Sequence, residues 1–226
     1  MNLNKYLQKF FKAFFYKLFL SFYGRVKYKP DFITDNILKT DVIETSKNQI
    51  YKIYSIKNCR LYTDRIFNMA IIKNDTIIDG PSFQLKDNIN INVNQNIVLK
   101  IGTPRKLRKI KGTVASLLTG GGGNYNYHHW LYDVLPRLYL ISKKVDLNSI
   151  DFFLVPSIEK NFQLETLELL GIKNKSISSK NYRHILADKI YVTDHPWLKE
   201  NPPQDQLDYP NWIIDYLRGQ FIKKIS

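Results

Sequence analysis

From Asn2 to Tyr23 the apolar residues Leu3, Leu7, Phe10, Phe11, Phe14, Phe15, Leu18, Phe19 and Phe22 recur at helical spacing, while Lys5, Lys9 and Lys12 fall on another face. The pattern predicts an amphipathic basic helix. Its lysines come too often for a bilayer span, which needs roughly 20 mainly apolar residues, and no small-residue cleavage site marks a signal peptide. An in-plane membrane anchor fits, with aromatic rings in the acyl boundary and lysines at anionic headgroups; a helix packed on the domain is the other reading. Gly24 and Pro30 punctuate the exit.

The pattern then changes. Between Asn58 and Phe83 short apolar runs alternate with polar residues, and Lys73-Asn74-Asp75 reads as a hairpin turn between MAII and TIID. A small β-rich region is expected there. Asn88 to Asn96 (NININVNQN) alternates, with its asparagines at exposed strand and turn positions. Farther on, Thr113 to Leu118 and Asp151 to Val155 read as buried strands, and Asp188 to Val192 leads into another. Between them come a helix through Tyr127, Trp130, Leu131, Val134 and Leu135, a helix from Asn161 to Leu170 closed by Gly171, and a last helix from Trp212 to Phe221. Asn201-Pro202-Pro203 and Pro210 bracket a polar loop. Alternating strands and helices argue for an α/β fold with a parallel sheet. The chain divides into a basic helix (1–30), a β-rich region (31–110) and an α/β lobe (111–226).

Composition narrows the classes. A chain of 226 residues buries a sizeable core without staples, and its single cysteine, Cys59, cannot form a disulfide within the chain, which fits a reducing compartment. Lys57 and Arg60 flank Cys59 as candidates to lower its pKa, but no histidine is adjacent to serve as a base, so a small half-buried side chain is the preferred reading. The net charge of +14 favours a polyanionic partner, and half of that excess lies in the first 30 residues, which contain no acid. Lys100, Arg105, Lys106, Arg108, Lys109 and Lys111 read as a solvated basic loop, with diphosphate or lipid headgroup binding as the functional alternative. No helix-turn-helix, zinc-finger or RRM signature accompanies the charge, so nucleic acid is not an expected partner.

The densest chemistry lies in Gly120 to Arg137, GGGGNYNYHHWLYDVLPR. The glycines permit close backbone approach to a ligand, and Gly121, Gly122, Gly123 and Asn124 are candidates for an acceptor or phosphate loop; they match neither the Walker nor the dinucleotide pattern. His129 and Asp133, four apart, share a helix face. A carboxylate there fixes the imidazole tautomer and raises its basicity, as a general base requires; a structural hydrogen-bond ladder is the alternative. Arg137 extends that face, to hold Asp133 ionised or bind a phosphate, and Pro136 is expected to kink or end the helix. His128 points about 100° away, too far to share a metal ion with His129. His184 and His195 read as isolated, and Trp130, Tyr127 and Tyr132 as core or sugar-facing aromatics.

The segment GGGGNYNYHHWLYDVLPRLYLI resembles the signature of family 61 glycosyltransferases, with Tyr127, His129, Trp130, Leu131, Asp133, Leu135, Pro136 and Arg137 matching in order. NCRLYTDRIFNMAIIKNDTIIDG upstream and ADKIYVTDHPW downstream are also similar to that family's N-terminal half. The resemblance implies a Rossmann-like N-terminal lobe of a GT-B enzyme and inverting transfer from a nucleotide sugar, with no metal cofactor. The acceptor would be a glycan or a lipid-linked species in bacterial surface or capsule polysaccharide synthesis. His129 or Asp133 would be the base, with Arg137 orienting the pair. The family's second, donor-binding lobe has no counterpart in the chain, so the expectation is an incomplete gene product, a subunit that needs a second-lobe polypeptide as partner, or an inactive remnant. The expected location is cytoplasmic, peripheral on the inner face of the membrane. A non-catalytic membrane-associated module that binds polysaccharide or a partner is the alternative.

Overall fold

The computed structural model describes residues 3–30, 32, 38–45, 49–86, 89–119, 122–197 and 209–222. Gly120, Gly121 and the Asn201-Pro202-Pro203 loop lie outside them. The fold is mixed α/β. One ten-stranded sheet runs in the order β6-β5-β3-β2-β10-β7-β8-β9, with β1 also on β2 and β4 also on β3. Helix α1 (Leu3–Tyr23) precedes β1 (Leu38–Thr45), the long β2 (Gln49–Thr63), β3 (Asn68–Lys73), β4 (Thr76–Ile77), β5 (Phe83–Lys86) and β6 (Ile89–Asn90). All pairings among these strands are antiparallel. The β3–β4 hairpin turns at Asn74 and Asp75, whose φ angles of 47° and 58° suit a tight turn of this hand, as the Lys73-Asn74-Asp75 pattern predicts.

After the single turn α2 (Val98–Ile101) come β7 (Arg108–Ser116), α3 (Tyr127–His129), α4 (Pro136–Ser142), β8 (Phe152–Val155), α5 (Asn161–Leu169), β9 (Ser176–Ser178), β10 (His184–Thr193) and α6 (Asn211–Phe221). Strands β10, β7, β8 and β9 are mutually parallel. β10 also pairs antiparallel with β2, from His184 opposite Tyr62 to Thr193 opposite Ile53, which fuses the two kinds of sheet.

Alternation along β7 and β8 divides the core in two. Val114 and Leu154 face a cluster with Ile56, Leu61, Met69 and Ile71 of β2 and β3. Ala115 and Phe153 face the opposite cluster, with Trp130, Val134, Leu138 and Leu167 of the helical layer. β3 folds over the first face closely enough for Ser116 Oγ to lie 3.3 Å from Met69 Sδ.

Several local expectations change. β7 begins at Arg108, so part of the predicted basic loop is the exposed start of a strand. Asn96 is buried, accepting from Asn68 Nδ2 at 2.8 Å and from the Val98 N–H at 3.1 Å, because it closes the turn that leads into α2. Cys59 is fully buried, not half-buried, and burial pushes its thiol up to about 12 against the smaller pull of Lys73. The flanking basic residues do not activate it.

Candidate functional site

The site is built on the chain that leaves β7. Asn126 starts the helix there, its side chain accepting from the N–H groups of His128 (2.9 Å) and His129 (3.4 Å). One α turn later the helix widens into a π turn over Trp130–Val134, with the Leu135 N–H bonded to Trp130 O at 3.1 Å. Pro136 follows at the first position of α4. The π turn ends just before it, and Leu135 carries helical dihedrals into α4, where the missing proline N–H costs nothing at a first-turn position.

The π turn still brings His129 and Asp133 together, as their spacing predicts. His129 Nδ1 lies 2.8 Å from Asp133 Oδ2, and since the carboxylate only accepts, Nδ1 carries the proton and Nε2 is left with its lone pair. The other carboxylate oxygen accepts from Trp197 Nε1 at 2.6 Å. The Asp133 side chain is 5% exposed and that of His129 28%. The hydrogen bond to Asp133 raises the His129 pKa above its usual value, against a smaller opposing effect of burial. Asp133 is therefore the orienting group, and His129 is the member of the pair that solvent or a substrate can reach.

Arg137 is placed differently from expectation. It is fully buried, and its Nε donates to the backbone carbonyl of Asp133 at 3.1 Å, not to its carboxylate. Its Nη1 donates to Thr193 O (2.9 Å), Thr193 Oγ1 (3.2 Å) and Asp194 O (3.3 Å). Through Nε and Nη1 it ties the helix to the C-terminal end of β10, and it also lines a cavity there.

Those contacts draw in residues with no local sequence signal. His195, read as isolated, places Nε2 at 3.9 Å from Asp133 Oδ2 and packs edge-on to Trp197. Burial pulls its imidazole down to about 3, Asp133 opposing, so it is uncharged at neutral pH. Asp194 accepts from the Lys52 N–H (2.8 Å) and the Tyr54 hydroxyl (3.1 Å). Thr119, Arg137, Thr193, Asp194 and His195 line one side of a cavity of about 250 Å³, and Tyr51, Pro81 and Phe83 line the other. The cavity thus sits beyond the carboxyl ends of the parallel strands β7 and β10, where open α/β sheets hold ligands. A larger cavity of about 560 Å³, between α4 and α6, is lined by Tyr139, Trp212 and Tyr216; neither cavity is lined by His129 or Asp133.

His128, expected to point away from His129, instead meets its ring edge-on at 5.6 Å, and its Nε2 lies 2.6 Å from the Tyr209 hydroxyl. It stacks on Tyr132, and Tyr209 packs against Tyr132 and Trp197, forming an aromatic wall beside His129. Trp130 is core, with Nε1 donating to Thr166 Oγ1 at 2.9 Å. Gly122 and Gly123 open a short turn with Asn124. A Cβ on Gly123 would stand 2.5 Å from Val134 Cγ2, so close packing demands that glycine. Gln163 Nε2 donates to Gly123 O (3.2 Å) and Asn124 O (3.0 Å), and Asn124 Nδ2 donates to Arg65 O (2.8 Å). This part of the loop is clamped, and Gly121 lies outside the described residues.

The signal for His195 and Trp197 lay only in the segment ADKIYVTDHPW, whose resemblance to the family assigned no roles. No protein-family model, curated protein or solved structure matches the chain.

Proposed function

We propose that the chain is the acceptor side of a glycosyltransferase, a Rossmann-like GT-B lobe that transfers a sugar with inversion from a nucleotide sugar to a glycan or lipid-linked acceptor. The observation that carries this reading is the His129–Asp133 pair, a partly exposed imidazole held by a buried carboxylate. His129 Nε2 takes the proton of the acceptor hydroxyl as that oxygen bonds to the sugar anomeric carbon. The anomeric carbon–oxygen bond to the diphosphate breaks, and the nucleoside diphosphate leaves with the electron pair. Asp133 fixes the tautomer and stabilises the imidazolium that forms; Arg137 positions both through the Asp133 carbonyl. The wall of His128, Tyr132 and Tyr209 supports a sugar acceptor, since aromatic faces suit the apolar side of a pyranose. Donor binding is assigned to a second lobe, and the protein to the cytoplasmic face of the membrane, where lipid-linked acceptors are presented.

The test is nucleoside diphosphate release by the purified chain, alone and with a donor-binding lobe, over uridine and guanosine nucleotide sugars with glycan and lipid-linked acceptors. His129→Ala and Asp133→Asn should each lose about a hundredfold or more in rate. Near-normal rates in both would sink the assignment.

A further inference from the structure

We infer that the outward face of α1 is a docking surface for an anionic lipid bilayer. The sequence pattern predicts an amphipathic helix, and the usual fate of its apolar stripe is burial on the domain. Here the stripe points the other way. Leu7, Phe10, Phe11, Phe14, Phe15 and Phe22 share one helix face and are exposed, Phe10 by 64% and Phe22 by 71%, while Leu18 and Phe19 of the same stripe are half-buried. The helix is held to the body by different residues. The Tyr23 hydroxyl accepts from the Leu107 N–H at 2.9 Å, the Tyr23 ring meets His184 edge-on at 5.0 Å, and Leu20 packs over Gly102. Leu20 and Tyr23 lie roughly 150° to either side of the centre of the stripe. Beyond them Val26 enters the core with Tyr62 and Ile72, and Lys27 bridges to Thr76. The apolar face is thus presented outward by a helix fixed to the fold.

No helix among the described residues is long and apolar enough to cross a membrane, so this stripe has the geometry of a surface contact. Charge selects the occupant. Residues 1–30 carry seven basic side chains and no acidic one, and Lys12 and Lys17 are exposed on either flank of the stripe. The basic surface continues on the body beside the end of α1, where Lys100, Arg105 and Lys106 are exposed around the Gly102 and Leu107 contacts. A second copy of the chain would bring two such surfaces together with like charge. A bilayer containing anionic lipid takes the aromatic rings into its acyl boundary and meets the cations at its headgroups. This inference rests on α1 alone and gives physical form to the membrane location proposed above.

Flotation of the full chain with phosphatidylcholine vesicles, with and without phosphatidylglycerol, tests it. Binding should require the anionic lipid and weaken with added salt. Replacing Phe10, Phe14 and Phe22 together by serine should lower partitioning by roughly a hundredfold, with the thermal midpoint unchanged because those rings are exposed. Lys12→Gln with Lys17→Gln should weaken binding several-fold, and supplies the same test if the serine variant is poorly folded. Failure to float with either vesicle, or flotation unchanged by both sets of substitutions, overturns the inference. So does a dimer that the serine variant dissociates while the wild type ignores vesicles, which would assign the stripe to a second copy. Flotation uses no sugar donor, so its failure leaves the transfer reading standing, and loss of transfer leaves the lipid reading standing.

Discussion

Two histidines each turn Nδ1 to one oxygen, His184 at the start of β10 and His129 on the helix that Arg137 ties to its other end, yet the two rings are opposite in character. At the N-terminal end His184 is completely buried, with Nδ1 3.0 Å from the carbonyl of Arg105 and the rings of Tyr23 and Tyr62 against it. Burial pulls its pKa down to about 4, which the bond to the carbonyl only partly offsets. Near the C-terminal end His129 faces a carboxylate, is partly exposed, and has its pKa raised. What separates a packing histidine from a candidate base is the charge of the partner and the access of the second nitrogen. The Asp133 environment and the β10 terminus that braces it therefore set the candidate site apart, and perturbing each end of the strand should show the difference.

The largest effect is expected at the brace. Arg137→Met removes the donor shared by Thr193 O and Asp194 O and leaves those carbonyls buried without it, so a destabilisation of about 3–5 kcal/mol is expected in urea unfolding. A loss below about 1 kcal/mol would mean that the helix and β10 are held together elsewhere.

Next comes the pH dependence of stability, where the two ends should differ in sign. His184 has an unfolded pKa near 6.5 and a folded one of about 4, so as pH falls between these values the unfolded chain takes up a proton that the folded chain refuses. Stability should drop by roughly 3 kcal/mol over that window and level off below it. His195 adds a loss of the same sign. His129 acts oppositely: its raised pKa contributes stability that is full below the unfolded value and is lost as pH rises through the folded one. His184→Asn keeps an N–H for the Arg105 carbonyl and cannot titrate, so it should flatten much of the acid loss in unfolding curves measured between about pH 7 and pH 4. An unchanged acid slope would place the titrating group elsewhere.

Much of the frame was legible in the sequence because its cause is local. Asn74 and Asp75 tolerate the left-handed angles of the hairpin, Gly171 at φ +73° closes α5, and the apolar pair Phe153–Leu154 makes a strand buried on both faces. The His129–Asp133 contact was legible for the same reason, since four residues on a helix make neighbours. The antiparallel joining of β2 to β10 was not, because its partners lie more than 100 residues apart and neither strand's pattern names the other. Arg137, His195 and Trp197 were misread or missed on that account: their roles are set by where β10 ends against the helix. The π turn was hidden too, since the pattern places apolar residues at positions that suit an α-helix equally well.

A smaller effect, and a direct reading of the comparison, is the titration of the histidines in solution. In NMR spectra His129 should titrate above the ordinary imidazole value and His184 near 4. Asp133→Asn removes the charge but keeps a side chain of the same shape, so the His129 midpoint should fall while His184 is unmoved. Any transfer rate limited by the free imidazole should rise with pH through that same midpoint and shift with it. A His129 midpoint that ignores the substitution would remove Asp133 from its orienting role.

The smallest expected effect isolates the indole. Trp197 Nε1 donates to Asp133 Oδ1 at 2.6 Å while its ring packs on His195 and Tyr209. Trp197→Phe keeps most of the packing and deletes the donor, leaving one oxygen of a buried carboxylate without that partner at a cost of about 1–2 kcal/mol. The two roles of Trp197 then separate. If the indole N–H shares the negative charge of Asp133, its loss concentrates that charge on the oxygen facing His129, and the His129 midpoint should rise as stability falls. If Trp197 only fills space, stability falls with no movement of the midpoint, and the orienting shell of His129 shrinks to Asp133 alone.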